Sequence, residues 1–253
     1  MKIATWNLNS IRAREERLYR WLDAEQPDVL CLQELKAPDD AFPFSGVEAA
    51  GYNAAVYGQK TYNGVAILSN TTITNVVRGM ADDDPQARLI QADIEGIRII
   101  SAYFPNGQQV GTEKYQYKLT WMKRLKAFFE REASPDDPLV LCGDFNVAVD
   151  EADVANPEKW SESVLCHTDA RKALEEIRNW GFVDVFRRHY PNGGVYSWWD
   201  YRMLAFPKGD GVRIDHIYAT SAVAERSTAA SVDRNERKGK KPSDHAPLIV
   251  EFD

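Results

Sequence analysis

The sequence predicts an α/β protein in which two β-sheets pack face to face and helices cover their outer surfaces. Two apolar runs without a polar break, Leu139–Cys142 and Val29–Leu32, are typical of strands buried on both faces. Each half of the chain also holds further strands, a long helix and one such buried strand that ends in an acidic residue. No Pro- or Ser-rich linker separates the halves, and 253 residues can bury a sizeable core. We therefore expect one domain spanning residues 1–253.

Most of the predicted strands lie in the first half of the chain. Lys2–Leu8 is the first strand, Ser10 can cap a helix that Pro27 ends, and Pro38–Gly51 is predicted to be a loop. Strand-like runs separated by turn residues predict five more strands, at Tyr52–Tyr57, Gly64–Ser69, Ile73–Val77, Ala87–Ile94 and Ile97–Tyr103.

The second half is predicted to contain two longer helices, Thr112–Arg131 and Thr168–Trp180, whose apolar residues recur at helical spacing. Asp150–Glu162 between them has no regular pattern, and Val183–Phe186 begins a second strand meander. Further strands are expected at Tyr196–Trp199, Val212–Tyr218 and Leu248–Phe252.

Composition argues against a membrane or secreted protein. No run approaches the roughly 18 apolar residues of a membrane span, and the N-terminus enters strand-like sequence without the apolar segment of a secretory signal. Three cysteines cannot pair completely, and Cys31 and Cys142 lie within apolar strands. We expect a monomer without membrane association in the reducing cytoplasm.

The charge distribution leaves room for a nucleic-acid partner. A net charge of -7 argues mildly against one, but binding depends on local patches. One short segment is strongly basic and contains Arg234, Arg237, Lys238, Lys240 and Lys241. A solvated loop is the alternative interpretation of this basic segment.

Several acidic residues follow or end apolar strands, namely Glu34, Asp144, Asp215 and Asp244. A single strand-end Asp usually belongs to a turn. Several at one edge would repel, since two unit charges about 4 Å apart cost on the order of 4 kcal/mol at an effective dielectric near 20. A bound divalent cation removes that repulsion. Oxygen ligands without Cys favour magnesium or manganese over zinc.

Five motifs resemble the endonuclease/exonuclease/phosphatase superfamily, in order along essentially the whole chain: Trp6-Asn7-Leu8-Asn9, Leu32-Gln33-Glu34, Gly143-Asp144-Phe145-Asn146, Arg213-Ile214-Asp215 and Ser243-Asp244-His245. Within it the chain resembles bacterial exonuclease III and the abasic endonucleases, because Tyr103 stands where deoxyribonuclease-I-like branches typically have His. Gln33–Lys36 and Tyr196–Arg202 also resemble that branch. The resemblance implies a four-layered α/β sandwich of two mixed sheets flanked by helices, with the active site at one end of the sheets.

The resemblance also implies a set of metal ligands for Mg²⁺, with Mn²⁺ as a substitute. Glu34 would anchor the ion, and the further candidate ligands are Asn7, Asn9, Asp144, Asn146 and Asp244.

Catalytic roles are implied in the same way. Asp144 is the expected general base for the attacking water, with Asn146 orienting that water, and Asp215 and His245 form a carboxylate–imidazole pair. A neighbouring anion raises the pKa of a histidine, so a protonated His245 could bind the scissile phosphate. Asn7 and Tyr103 would complete the phosphate pocket, and Tyr103 is also a candidate for assisting the leaving group. The assignment of each proton among Tyr103, Asp144 and His245 stays open.

The expected function is a DNA-repair phosphodiesterase acting on double-stranded DNA with abasic sites or 3′-blocked ends. It would trim 3′ ends as an exonuclease and phosphodiesterase, cut 5′ to abasic sites, or do both. The residues expected to contact DNA are Trp199, Arg237, Lys238, Lys240 and Lys241. The alternatives are a predominant abasic endonuclease, a phosphatase of another branch, and a non-enzymatic scaffold, although every ligand position is filled.

His167 is a candidate for setting the balance between these reactions. Relatives are expected to carry a Pro and a Glu in the loop between Ser161 and Arg171, and this chain has neither. That loop borders the pocket for an extrahelical sugar, and flipping a nucleotide costs a few kcal/mol. A bulky His167 in the pocket would favour 3′-end trimming over internal cleavage. The alternative is that His167 caps or precedes the following helix.

Overall fold

A computed structural model describes every residue from Met1 to Asp253. Two six-stranded sheets form its centre, ordered β11-β12-β1-β2-β4-β3 and β5-β6-β7-β8-β10-β9. The strands are β1 (Lys2–Asn7), β2 (Val29–Gln33), β3 (Asn53–Tyr57), β4 (Val65–Ser69), β5 (Thr74–Arg78), β6 (Leu89–Ile94), β7 (Ile97–Tyr103), β8 (Leu139–Asp144), β9 (Phe182–Asp184), β10 (Asp215–Thr220), β11 (Ser227–Val232) and β12 (Leu248–Phe252).

Eight α-helices surround the sheets: α1 (Ile11–Glu25), α2 (Phe44–Ala49), α3 (Glu113–Glu132), α4 (Pro157–Trp160), α5 (Thr168–Arg178), α6 (Val185–His189), α7 (Ala205–Lys208) and α8 (Ser221–Ala224). Short 3₁₀ turns cover Asp39–Ala41, Glu151–Asp153 and Arg234–Arg237. None of the helices has the length and apolar character needed to span a bilayer.

The apolar strands alternate between two cores, which explains why they have no polar face. In β8, Val140 and Cys142 point into the layer between the sheets, whereas Leu139 and Leu141 pack against α3 and α5. In β2, Val29 and Cys31 share that intersheet layer, and Leu30 and Leu32 pack on the side of α1. The predicted four-layered sandwich of two mixed sheets is confirmed.

Each sheet contains one parallel pair, β1 with β2 and β7 with β8, so the carboxyl ends of these strands lie at one edge. Gly143 lets β8 approach β7, because a Cβ at this position would lie 1.8 Å from the Ala102 carbonyl oxygen. Its φ of 148° also disfavours other residues. In β10, Asp215 pairs in register with Asp144 and starts where β8 ends.

Several predicted elements differ from the observed ones. The expected loop 38–51 contains α2, and β11, a mostly exposed edge strand, was not predicted. The expected strand 212–218 begins only at Asp215, and the expected strand 196–199 reduces to isolated bridges at Trp198. Val183–Phe186 is the end of β9 followed by α6 rather than a meander. Ser10 precedes α1 but makes no side-chain cap.

Candidate active site

Side chains from both sheets meet at the edge where the parallel pairs end. The Asn7 side-chain amide, Nδ2, donates to Glu34 Oε1 and to Asp144 Oδ2, at 2.9 Å in each case. Asn7 and Glu34 belong to one sheet and Asp144 to the other. One buried amide therefore fixes the distance between the carboxylates of the two sheets.

Backbone strain accompanies this convergence. Asn9, Glu34 and Asn146 all have φ near 50°, in the left-handed region. A left-handed residue other than glycine costs roughly 1–2 kcal/mol. Such residues persist where the surroundings hold them, and they cluster at functional sites. The turns after β1, β2 and β8 are thus shaped so that polar side chains face the same space.

His245 lies between two carboxylates. Its Nδ1 is 2.8 Å from Asp215 Oδ2, and its Nε2 is 3.7 Å from Asp144 Oδ2. Burial opposes protonation of the ring, but the charges of Asp215 and Asp144 outweigh it and raise the pKa of His245 to about 10. The imidazole is therefore a cation at neutral pH, held at the floor of the site.

The pKa of Asp144 is also raised, which for a carboxyl group favours the uncharged form. Burial raises its pKa to about 7; the His245 charge opposes this shift, and the Asp215 charge adds to it. Its Oδ1 accepts from the Asn146 backbone N–H at 2.9 Å. A carboxyl group with a pKa near neutrality can exchange protons with a reacting water.

Tyr103 ends β7 in register with Asp144. Burial raises the pKa of its hydroxyl well above the usual value, and the charges of Glu34 and Asp144 act in the same direction. The hydroxyl is therefore a proton donor throughout the physiological range. The Arg88 guanidinium lies over the ring, 5.0 Å from its centroid, in a cation–π contact.

The site fits a divalent cation. Glu34 and Asp144 each offer a carboxylate oxygen, and these atoms lie within 4.8 Å of each other and of a ring nitrogen of His245, which as a cation is a neighbour of the ion rather than a ligand. Asp215 Oδ1 is buried without a hydrogen-bond partner. Oxygen-rich sites of this kind suit magnesium or manganese.

The other expected metal ligands are occupied by hydrogen bonds. Asn9 Nδ2 donates to Asp244 Oδ1 at 2.9 Å, and Trp198 Nε1 donates to Asp244 Oδ2 at 3.0 Å. The contacts with His245, Trp198 and Asn9 outweigh burial and lower the pKa of Asp244. Asn146 Oδ1 accepts from Asn106 Nδ2 at 2.8 Å. Asp244 is therefore connected to the site by its hydrogen bond from Asn9 and is not one of the three clustered residues Glu34, Asp144 and His245.

A cavity of about 510 Å³ opens above these residues. Trp160 and Trp198 form one wall, with ring centroids 5.5 Å apart and nearly perpendicular planes. Glu162 and Asp200 also line the cavity. Trp160 and Glu162 were not singled out from the sequence, because their segment was predicted to be irregular.

Trp199 was wrongly expected to contact DNA. It is fully buried in a small cluster with Ala205 and Ala246, and its ring packs against Phe206. The neighbouring Trp198 faces the cavity instead. These residues lie outside a regular strand, so sequence alternation did not indicate which of the two is exposed.

Arg237 was also wrongly assigned to the DNA surface. Only 6% of the residue is exposed, and its guanidinium donates to the carbonyl oxygens of Ser243 and Trp199. Arg237 therefore supports the backbone next to Asp244.

The basic segment does present Lys238, Lys240 and Lys241 to solvent. Arginines of α1 hold its backbone: Arg17 donates to the carbonyl oxygens of Lys238 and Lys240, and Arg14 donates to that of Lys241. The Lys238 ammonium donates to Asn235 Oδ1 at 2.8 Å, and the exposed ammonium groups of Lys240 and Lys241 are left free for a partner.

His167 is the N-cap of α5 and does not line the cavity. Its Nδ1 accepts from the Asp169 backbone N–H at 3.3 Å and lies 3.0 Å from the Tyr115 hydroxyl. The placement agrees with the capping alternative. The preceding residues Ser163 and Leu165 do line the cavity.

Lys118 is a further residue that sequence reasoning missed. It is fully buried, and its Nζ donates to the carbonyl oxygens of Asn146 at 2.7 Å and Val164 at 2.6 Å. Burial lowers its pKa to about 7. Its position within an amphipathic helix gave no signal, yet it joins the turn after β8 to the cavity wall.

The fold and the site define a hydrolase with carboxylates and an imidazole at the junction of two sheets. The chain belongs to the endonuclease/exonuclease/phosphatase family, whose model matches residues 4–245. Within that family it falls in the exonuclease III and abasic-endonuclease group. It is 34% identical to exodeoxyribonuclease III of Haemophilus influenzae over 266 aligned positions, covering 100% of both chains.

Solved structures of similar proteins support the same group. An AP endonuclease from Archaeoglobus fulgidus superposes with a TM-score of 0.98 at 42% identity, covering 100% of this chain and 99% of the other. A 3′ phosphatase from Neisseria bound to a product DNA hairpin gives 0.95 at 39% identity, with the same coverage. The chain is thus a hydrolytic DNA-repair nuclease of a metal-dependent family.

Proposed function

We propose that this protein is a Mg²⁺-dependent phosphodiesterase that repairs double-stranded DNA, removing 3′-blocking groups and 3′-terminal nucleotides and also cutting at abasic sites. The observation that carries the proposal is the continuous line of contacts from Glu34 through Asn7 to Asp144, His245 and Asp215. We further propose that one catalytic domain over residues 1–253 acts as a monomer in the cytoplasm, with Mn²⁺ able to replace Mg²⁺.

The residues present support in-line hydrolysis of a phosphodiester. Asp144 would accept a proton from the attacking water, because its pKa is raised to about 7. As the water oxygen bonds to phosphorus, the bond to the leaving oxygen breaks, and that oxygen needs a proton. Tyr103 and His245 are both protonated and line the same cavity. We propose that His245 binds a non-bridging phosphate oxygen and Tyr103 assists the leaving oxygen.

A Mg²⁺ ion held by Glu34, with Asp144 and Asp244 nearby, would supply Lewis-acid stabilisation of the developing charge. Asn146 would orient the attacking water from its strained turn. Asn7 and Asn9 would act by positioning carboxylates, because their amides already bind Glu34, Asp144 and Asp244.

The cavity supports a substrate that presents one nucleotide or one blocking group. Its volume of about 510 Å³ is within the usual range for small ligands, roughly 300–1,000 Å³. Trp160 and Trp198 offer aromatic faces for a base or sugar. The carboxylates of Glu162 and Asp200 would disfavour a second phosphate in the cavity. We propose that His167 biases the balance toward 3′ ends indirectly, since it follows the cavity-lining segment.

A panel of duplexes tests the proposal. The duplexes carry an internal abasic site, a 3′-phosphate, a 3′-phosphoglycolate or a plain recessed end, and inositol phosphates are assayed beside them, each with Mg²⁺ and with EDTA. We expect hydrolysis of the 3′-blocked and abasic duplexes only with the metal. A preference for inositol phosphates over every duplex would instead assign the chain to a phosphatase branch.

A further inference from the structure

Lys36 places a fixed ammonium group inside the candidate metal site. Its Nζ is 2.8 Å from Glu34 Oε2 and 2.5 Å from Asn9 Oδ1. The other oxygen of the same carboxylate, Glu34 Oε1, accepts from Asn7. Glu34 is therefore bound on one side by a cation of the protein itself.

The backbone is built to make this contact. Glu34 and Lys36 both adopt left-handed conformations, with φ of 51° and 52°. The Leu35 and Lys36 N–H groups donate to the carbonyl oxygens of Gly64 and Asn63, at 3.1 and 3.0 Å. These bonds hold a strained turn that brings the Lys36 ammonium onto both Glu34 and Asn9.

The ammonium is also linked to a second acidic residue of the site, Asp244, through Asn9. Asn9 accepts from Lys36 through Oδ1 and donates to Asp244 through Nδ2. With a first ion at Glu34 and Asp144, a second divalent ion on the Asn9 side, between Glu34 and Asp244, would have to displace this ammonium. A divalent cation bound to Glu34 beside the Lys36 ammonium would be repelled by it, and the repulsion is strong because both side chains are only partly exposed. Lys36 and Glu34 side chains are 28% and 18% exposed.

We propose that Lys36 is a built-in counter-ion that excludes a second divalent ion and limits the site to one. The inference deepens the proposed metal-dependent function and rests on it. It gives Lys36 two measurable effects: it weakens binding of divalent ions to the Glu34 side of the site, and it stabilises the carboxylates when no ion is bound.

The test measures Mn²⁺ binding without DNA, by isothermal titration calorimetry and by EPR of free Mn²⁺, on the full chain. Lys36→Met is compared with Lys36→Arg, which keeps the charge. Lys60→Met is the matched control, because Lys60 is exposed and forms no ion pair. Lys36→Gln serves as the second variant if Lys36→Met does not fold.

We expect one Mn²⁺ per wild-type chain. Lys36→Met should bind a second ion or bind the first at least tenfold more tightly, while Lys36→Arg and Lys60→Met stay within about twofold of wild type. In EDTA the thermal midpoint of Lys36→Met should fall, and Mn²⁺ should restore it. Two ions in the wild type, or unchanged or weaker binding by Lys36→Met, would overturn the proposal. Wild-type protein that binds no Mn²⁺ would contradict the metal-dependent function itself, whereas hydrolysis of the wrong substrates would leave this binding result standing.

Discussion

The imidazole Nδ1 of His245 lies 2.8 Å from Asp215 Oδ2, on the side of the ring opposite Asp144. Asp215 therefore fixes the ring orientation and leaves Nε2 facing the cavity. Because Asp215 begins β10 and His245 lies in the loop before β12, their contact depends on the packing of the two sheets. Asp215 thus positions His245 as a cation, and Asp144, on the other side of the ring, is left to act as the base.

Asp144→Asn should separate catalysis from stability. The native pKa of Asp144 is about 7, above its usual value near 3.9, so the native state holds a proton that the unfolded state releases. Stability therefore falls as pH rises from about 4 through about 7. In EDTA above pH 7, Asp144→Asn should unfold at a midpoint about 3 °C higher, as expected for about 1 kcal/mol. Turnover should fall roughly 10²- to 10⁴-fold.

Thermal unfolding at pH 5 and pH 8, with the exposed Asp136→Asn as control, checks this prediction. A stability gain that is the same at both pH values, or wild-type turnover on any duplex, would remove Asp144 from the role of base.

The lysines of the basic segment should contribute to DNA affinity by binding phosphates. Replacing Lys238, Lys240 and Lys241 by Gln should weaken binding and reduce the slope of log K against log salt by up to about 0.9 for each phosphate that is no longer neutralised. Fluorescence anisotropy at several salt concentrations measures the slope. Replacement of three other exposed lysines, Lys60, Lys123 and Lys172, matches the charge change. Equal slopes for the two triple variants would return the segment to a solvated loop.

His167→Gly should raise cleavage at an internal abasic site relative to removal of a 3′-block at a nick. The contact of the ring with the Tyr115 hydroxyl, which anchors the chain just after the cavity-lining Ser163–Leu165, would be lost. His167→Asn is the control for capping, because Asn also accepts from the first-turn N–H groups. Both variants should shift the ratio of the two activities. Equal changes in the two activities would show that His167 acts only as the N-cap of α5.

The sequence predicted the chemical centre better than its surroundings. Glu34 and Asp144 follow or end unbroken apolar strands, so local patterns singled out both residues, and the structure brings the ends of the two parallel pairs to one edge. The same pattern indicated Asp215, and the five motifs then brought in His245. The buried core strands were predictable for the same reason, because their composition directly reflects burial on both faces.

Features that depend on irregular backbone were not predictable. Trp198 and Trp199 differ in exposure, but Trp198 makes only isolated bridges and no regular strand provides an alternation pattern that indicates which side is buried. Arg237 looks like a surface cation in sequence but satisfies carbonyl groups that only the folded chain brings near it. Lys118 and Trp160 likewise acquire their positions from loops packed together by tertiary contacts.

The most direct test of the proposed mechanism is hydrolysis of a 3′-blocked nicked duplex by wild-type protein, Glu34→Gln and His245→Ala across a Mg²⁺ titration that begins in EDTA. We expect no product from the wild type in EDTA and full activity when Mg²⁺ is restored. Glu34→Gln should need markedly more Mg²⁺, since it loses an anionic ligand, and folded His245→Ala should be at least about 10²-fold slower at saturating metal. Full wild-type activity in EDTA, or near-normal turnover by His245→Ala, would contradict the mechanism.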